Sequence, residues 1–114
     1  MPALLPYYAS LLLAIVVGVV GQVLLKTGST RTGNVPAQFF DPYTLMGLVA
    51  YALAAIFYIA AIKKIPVSLA YPTVSLSYVA VAIIAHRAWG EPLGWAQIAG
   101  IALIAAGILL LHQV

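Results

Sequence analysis

The sequence contains no cysteine and few charged side chains, with five Lys or Arg and two Asp or Glu among 114 residues. The lack of cysteine excludes disulfides, thiolate nucleophiles and thiolate metal sites. The two carboxylates, Asp41 and Glu91, lie in different predicted loops and form no evident acid–base pair, and His86 and His112 show no metal-ligand spacing. The net charge of +3 is too small for the clustered basic surface that nucleic-acid binding needs. We therefore expect a protein that is not an enzyme, uses no cofactor or metal and binds no nucleic acid.

Apolar side chains dominate what remains. Hydrophobic residues make up 65% of the chain and charged residues 6%, and the mean hydropathy is +1.12. Soluble globular proteins have about 45–50% apolar and about 25% charged residues. The chain lacks the polar surface needed to face water on all sides, so we expect an integral membrane protein.

Four long apolar runs divide the chain. A helix needs roughly 20 apolar residues to cross a hydrocarbon core of about 30 Å, and each run is about that long. The stretch between the first two runs is rich in Gly, Ser, Thr and Asn, which predicts a polar loop that ends with Asp41 as the N-cap of the next helix. The sequence therefore predicts one all-α transmembrane domain over residues 1–114, with helices at about 7–26, 42–62, 66–86 and 93–112 and a polar loop at 27–41.

The basic residues flanking these helices favour no single insertion direction. With four spans both termini share a side with Lys63 and Lys64, while the other side carries Lys26, Arg31 and Arg87. Orientation follows the Lys and Arg bias of short loops, and this bias is nearly absent. Four helices are also too few to enclose a wide groove easily. We therefore expect two chains to associate, either as an antiparallel homodimer or with a related partner that sets the direction.

A polar stripe follows one face of the first helix. Gly18, Gln22 and Lys26 are spaced four apart, so they lie above one another. One interpretation places Gln22 and Lys26 on the wall of a substrate cavity, where Lys26 attracts an anionic phosphate and Gln22 supplies hydrogen-bond donors. The alternative is that Lys26 snorkels to the headgroups and Gln22 bonds a neighbouring helix.

The third helix carries a stripe of hydroxyl groups. Ser68, Tyr71, Ser75 and Tyr78 follow at spacings of three, four and three, which suits a ligand that is part polar and part apolar. Helix packing is the alternative role, since Ser is common at helix interfaces. Pro72 removes a backbone donor, which predicts a kink and a hinge for bending during transport.

The second and fourth helices offer further candidates. Tyr51 and Tyr58 are weaker substrate-binding candidates, because tyrosines near span ends also serve as interfacial anchors. Gly100 and Gly107 keep one seam of the fourth helix thin, which predicts close contact with another chain at a dimer interface. Packing within the chain is the alternative role of these glycines.

Three segments resemble the small multidrug resistance family of the drug and metabolite transporter (EamA-like) superfamily. They are GQVLLK at 21–26, IPVSLAY at 65–71 and GIALIAAG at 100–107. The resemblance implies a four-helix subunit that works as a dimer. Exporters of that family carry a glutamate in the first helix, eight residues before the lysine, and a tryptophan in the third. Here Gly18 and Val74 stand at those positions, so the basis for proton-coupled cation efflux is missing.

The chain is most similar to the lipid-transport branch, the subunits that flip undecaprenyl-phosphate aminoarabinose across the bacterial inner membrane. The shared features are Gly21 with Gln22, the run Val67, Ala70, Tyr71, Pro72, Ser75 and Leu76, and the Glu91–Pro92 turn. The resemblance implies a multi-pass inner-membrane subunit that moves a polyprenyl-phosphate-linked sugar or a related amphiphilic lipid between leaflets. An exporter of small cations or metabolites is the first alternative, and a non-transporting assembly partner is the second.

Overall fold

The computed structural model describes residues 2–113, and no strand occurs among them. A short 3-10 turn at Pro2–Leu4 leads into the first α-helix. Six α-helices follow in chain order: α1 at Leu5–Arg31, α2 at Val35–Phe40, α3 at Pro42–Ala61, α4 at Val67–Val74, α5 at Leu76–Trp89 and α6 at Trp95–Leu111.

Four helical segments account for the predicted membrane spans. α1, α3 and the combined run α4–α5, which covers Val67–Trp89, are each long and apolar enough to cross a bilayer. α6 is as apolar but has 17 residues. The prediction of an all-α integral membrane protein with four transmembrane helices is confirmed.

The predicted polar loop at 27–41 is wrong over much of its length, because α1 continues to Arg31 and α2 occupies Val35–Phe40. The hydroxyl groups that suggested a loop instead donate back to carbonyls of their own helix, as Thr27 does to Val23 O at 2.8 Å and Ser29 does to Lys26 O at 2.7 Å. Asn34 then caps α2 by accepting from Ala37 N at 2.9 Å. Polar composition here marks helix ends near water rather than irregular backbone.

Asp41 starts α3 and ties it to α1. Its Oδ2 accepts from Tyr43 N at 3.0 Å, which confirms the predicted N-cap, and its Oδ1 accepts from Arg31 Nε at 3.0 Å. Asp41 is 7% exposed, while the Arg31 guanidinium lies over the ring of Tyr43, 4.9 Å from its centroid. The Asp41 carboxylate therefore caps the N-terminus of α3 and pairs with the last residue of α1.

α1 and α3 pack closely along small residues. Gly21 and Gly28 of α1 are buried against Gly47 and Thr44 of α3, where side chains on the glycines would meet the opposite helix. Ser10 adds a hydrogen bond from its hydroxyl to Phe57 O at 2.8 Å. Small residues let the two backbones approach closely. Close packing matters in a membrane because lipid tails supply no hydrophobic force between helices, so contact area and hydrogen bonds hold the helices together.

The remaining helices leave a flat molecule. Leu11, Ala61, Ile65 and Ala70 form the buried core where α1, α3 and α4 meet. α6 packs lightly on α4 and α5, and its Leu103 is 73% exposed. The Cα extents are 48 × 34 × 17 Å, so the helices form a thin slab whose broad faces are open.

Candidate functional site

A groove of about 420 Å³ runs between α1, α3 and the α4–α5 span. Its wall is mostly apolar, formed by alanine, valine and isoleucine side chains of all three spans. The polar groups come from one residue on α1, two on α3, one on α4 and two on α5: Gln22, Tyr51, Tyr58, Tyr71, Ser77 and Tyr78.

The tyrosines differ in how far they project from the groove. Tyr71 and Tyr78 are 70% and 62% exposed, so their rings border the open side. Tyr51 and Tyr58 are half-buried. The Tyr58 hydroxyl is enclosed and has no hydrogen-bond partner among the described residues.

A second cavity of about 200 Å³ adjoins the groove at the end where α1 and α5 finish. Gln22 and Val81 line both cavities, and Lys26 and Glu91 line only the second. Trp89 forms part of its apolar wall. Gln22 therefore stands where an apolar groove meets a charged pocket.

Lys26 and Glu91 form an ion pair in this pocket. Lys26 Nζ lies 3.2 Å from Glu91 Oε2, and the two side chains are 43% and 45% exposed. A pair this exposed typically contributes less than about 1 kcal/mol to stability. The contact was not predicted from the sequence. A signal for it is that α1 and α5 run in the same direction, so their C-terminal ends lie on the same side of the membrane.

The turn that carries Glu91 is held by its backbone. Gly90 adopts φ +68°, and its N–H donates to His86 O at 3.2 Å while Glu91 N–H donates to Ala85 O at 3.3 Å. His86 Nδ1 donates to Glu91 O at 2.8 Å. The Gly90 bond is that of an αL helix end, and neither backbone bond uses the Glu91 carboxylate. The turn therefore does not depend on the Glu91 carboxylate, which contacts Lys26 instead.

The structure groups most of the predicted substrate-binding residues. Gln22, Tyr51, Tyr58, Tyr71 and Tyr78 line the groove, with Lys26 in the adjoining pocket.

Ser68 and Ser75 line neither cavity. Ser68 is exposed at the start of α4, and the Ser75 hydroxyl donates to Pro72 O within its own span. Ser75 lies at a break in the span, since α4 ends at Val74 and α5 begins at Leu76. The interruption therefore lies three residues after Pro72.

The α6 glycines lie away from both cavities. A Cβ built on Gly100 or Gly107 meets no atom within 4 Å, so their surface is open. At the C-terminal end of α6, His112 Nε2 lies 2.9 Å from Thr73 Oγ1, and this contact connects α6 to α4. A dimer interface at the seam of Gly100 and Gly107 therefore stays a prediction.

The EamA-like transporter family matches residues 7–113 of the chain. The chain belongs to this family. Its relatives include a "Probable 4-amino-4-deoxy-L-arabinose-phosphoundecaprenol flippase subunit ArnE" of Escherichia fergusonii, 31% identical over 89% of this chain and 92% of the relative. A subunit ArnF with the corresponding name from Proteus mirabilis is 34% identical over 82% of both chains. A third, ArnF of Erwinia tasmaniensis, is 43% identical over 58% of this chain and 54% of the relative. No solved structure matches the chain significantly.

As an EamA-like protein, the chain is a membrane transporter subunit, and the predicted resemblance to flippase subunits is confirmed. No carboxylate lines the groove in the part of the chain that the structure describes, and Gly18 lines it at the position of the exporters' glutamate. The groove of this EamA-like subunit is therefore apolar and tyrosine-rich, and the charges of Lys26 and Glu91 lie in the adjoining pocket.

Proposed function

We propose that this subunit moves a polyprenyl-phosphate-linked sugar, or a related amphiphilic lipid, between the leaflets of a bacterial inner membrane, without chemical conversion. The observation that carries the proposal is the junction at Gln22. There, the apolar groove between three spans opens into the pocket that holds Lys26.

The physical requirement is to carry a phosphate past hydrocarbon. An unpaired anion in a medium of low polarity is very costly, and charge-assisted hydrogen bonds offset that cost. Lys26 supplies the cation and Gln22 supplies amide donors one turn deeper. The prenyl chain lies along the apolar wall or in the surrounding lipid.

The names of the relatives support this class of substrate, since they describe flippase subunits for an aminoarabinose-phosphoundecaprenol. The word subunit also supports a partner. We propose that a second four-helix chain, identical or related, covers the open side of the slab, in an antiparallel arrangement where the chains are identical. The two α6 helices would meet at the seam of Gly100 and Gly107, where the lack of side chains lets helix backbones pack closely.

Export of small cations or metabolites is the second candidate. Four tyrosine rings line the groove, and aromatic faces attract cations. The groove carboxylate that would exchange a proton for a cation is absent from its described lining. The lipid proposal accounts for both the apolar wall and the lysine, so it stands first.

Binding of a polyprenyl phosphate to the purified protein in nanodiscs tests the proposal, with a quaternary ammonium compound as the comparison ligand. We expect saturable lipid binding that weakens about ten- to hundredfold in Lys26→Ala and is retained in Lys26→Arg, because the charge contributes roughly 1.5–3 kcal/mol. Lys63→Ala, at the opposite end of the spans, is the matched control. Binding of the cation alone would favour the exporter, and binding of neither would favour an assembly partner.

A further inference from the structure

The pocket beside Gln22 holds one positive and one negative side chain in contact. Lys26 and Glu91 face each other at 3.2 Å and remain partly exposed, so a ligand can reach both. A ligand with only a phosphate would displace Glu91 from Lys26 and leave an unpaired carboxylate beside its own negative charge. That arrangement is unfavourable, because like charges at short range repel.

A ligand with both a phosphate and an amine avoids this conflict. Its phosphate takes the place of the Glu91 carboxylate at Lys26, and its ammonium takes the place of the Lys26 ammonium at Glu91. Each side chain exchanges one partner for another of the same charge. The protein pair is exposed and therefore weak, so little is lost when it opens.

We propose that Glu91 determines the headgroup specificity of this pocket: its carboxylate binds a primary amine of the lipid headgroup while Lys26 binds the phosphate. This inference rests on the lipid substrate proposed above and narrows its class. The arrangement of the two cavities agrees with it: the apolar groove suits the lipid chain, Gln22 lines both cavities, and Lys26 and Glu91 line only the second.

Glu91 is the carboxylate available for this role. The chain has two acidic side chains, and the other, Asp41, is 7% exposed and already accepts hydrogen bonds from Arg31 and Tyr43. The Glu91 turn is held by backbone bonds and by His86, so its carboxylate is not needed for the fold. Glu91→Gln is therefore expected to fold and to remove only the charge.

The test compares three probes in phosphatidylcholine nanodiscs: a polyprenyl-phosphate aminopentose, its N-acetylated form and polyprenyl phosphate alone. The wild type is expected to bind the amine form about tenfold more tightly than the acetylated form, since a charge-assisted hydrogen bond is lost on acetylation. In Glu91→Gln this preference falls to about onefold, while affinity for the acetylated form is kept or rises, because the carboxylate that repels its phosphate is gone. Unchanged elution and helical circular dichroism would confirm the fold of the variant.

A charge-swapped variant separates recognition from simple ion pairing. Lys26→Glu with Glu91→Lys restores a salt bridge but moves the cation from α1, one turn from Gln22, to the turn after α5, so binding of the amine form is expected to fall at least tenfold. Retained binding would overturn the inference.

Other outcomes separate the two proposals. Equal, tight binding of all three probes by the wild type would overturn the inference and leave the lipid proposal standing. A preference that persists in Glu91→Gln would also overturn it. No binding of any polyprenyl probe would overturn both proposals. Competition by phosphatidylethanolamine would support the shared phosphate-and-amine chemistry and assign the ligand to bulk lipid.

Discussion

Gly47 of α3 lies so close to Gly21 of α1 that a Cβ atom on Gly47 would sit 3.0 Å from the Gly21 carbonyl oxygen. The same atom would sit 2.9 Å from Leu25 Cδ2. The two spans therefore meet backbone to backbone. This contact sets the distance between two walls of the groove, because Gly21 is one residue from Gln22 and Gly47 is one turn from Tyr51.

Gly47→Val is expected to lower the free energy of unfolding by about 1–3 kcal/mol, because the added side chain overpacks against backbone that cannot rotate away. Unfolding in mixed detergent micelles, followed by circular dichroism, measures the change. Gly18→Val is the matched control, since a Cβ on Gly18 meets nothing within 4 Å, and its effect is expected to stay within about 0.5 kcal/mol. Equal losses in the two variants would contradict the close contact.

Asp41→Ala is expected to destabilise the protein by about 1–2 kcal/mol, because α3 loses its N-cap and Arg31 loses its partner. Asp41→Asn keeps an oxygen for Tyr43 N and should retain much of that stability. Arg31→Gln should cost less than about 1 kcal/mol, since Arg31 is 51% exposed. The same unfolding measurement ranks the three variants, and a loss in Asp41→Asn as large as in Asp41→Ala would show that the cap contributes nothing.

Pro72→Ala tests the hinge. Alanine restores a backbone donor to the middle of the span, so we expect a straighter helix. The free energy of unfolding is expected to rise by up to about 3 kcal/mol. If bending near Pro72 and Ser75 accompanies transport, the rate of lipid translocation in proteoliposomes should fall about tenfold while lipid binding stays unchanged. Pro66→Ala, at the start of α4, serves as the control. An unchanged translocation rate would remove Pro72 from the mechanism.

Gly100→Leu combined with Gly107→Leu is expected to lower the fraction of associated chains, because large side chains would separate helices that meet at the glycine seam. Cross-linking in nanodiscs at low protein density measures that fraction. Ala102→Leu is the control, since residue 102 is exposed and lies on the far side of α6 from Gly100. Association that survives the double substitution would move the interface to another surface.

Composition and run length were sufficient to predict the spans, since a membrane helix requires a long apolar segment and little else. Residue spacing likewise placed Gln22 above Lys26 on α1, because both lie on one regular helix. Spacing was insufficient for Ser75, which lies at the break between α4 and α5, and for Ser68, which stays exposed at the start of α4.

Contacts between distant parts of the chain were harder to foresee. The Lys26–Glu91 pair joins the first span to the turn after the third, and nothing local to either residue specifies the other. The grouping of Tyr51 and Tyr58 with Tyr71 and Tyr78 depends in the same way on how α3 and the α4–α5 span pack around α1.

The shortness of α6 has a consequence for the surrounding lipid. At a rise of about 1.5 Å per residue, its 17 residues extend about 25 Å, less than a hydrocarbon core of about 30 Å. A short span is accommodated by local thinning of the bilayer. We expect such a dimple beside α6, where a polar headgroup would cross a narrower layer of acyl chains than it meets elsewhere in the membrane.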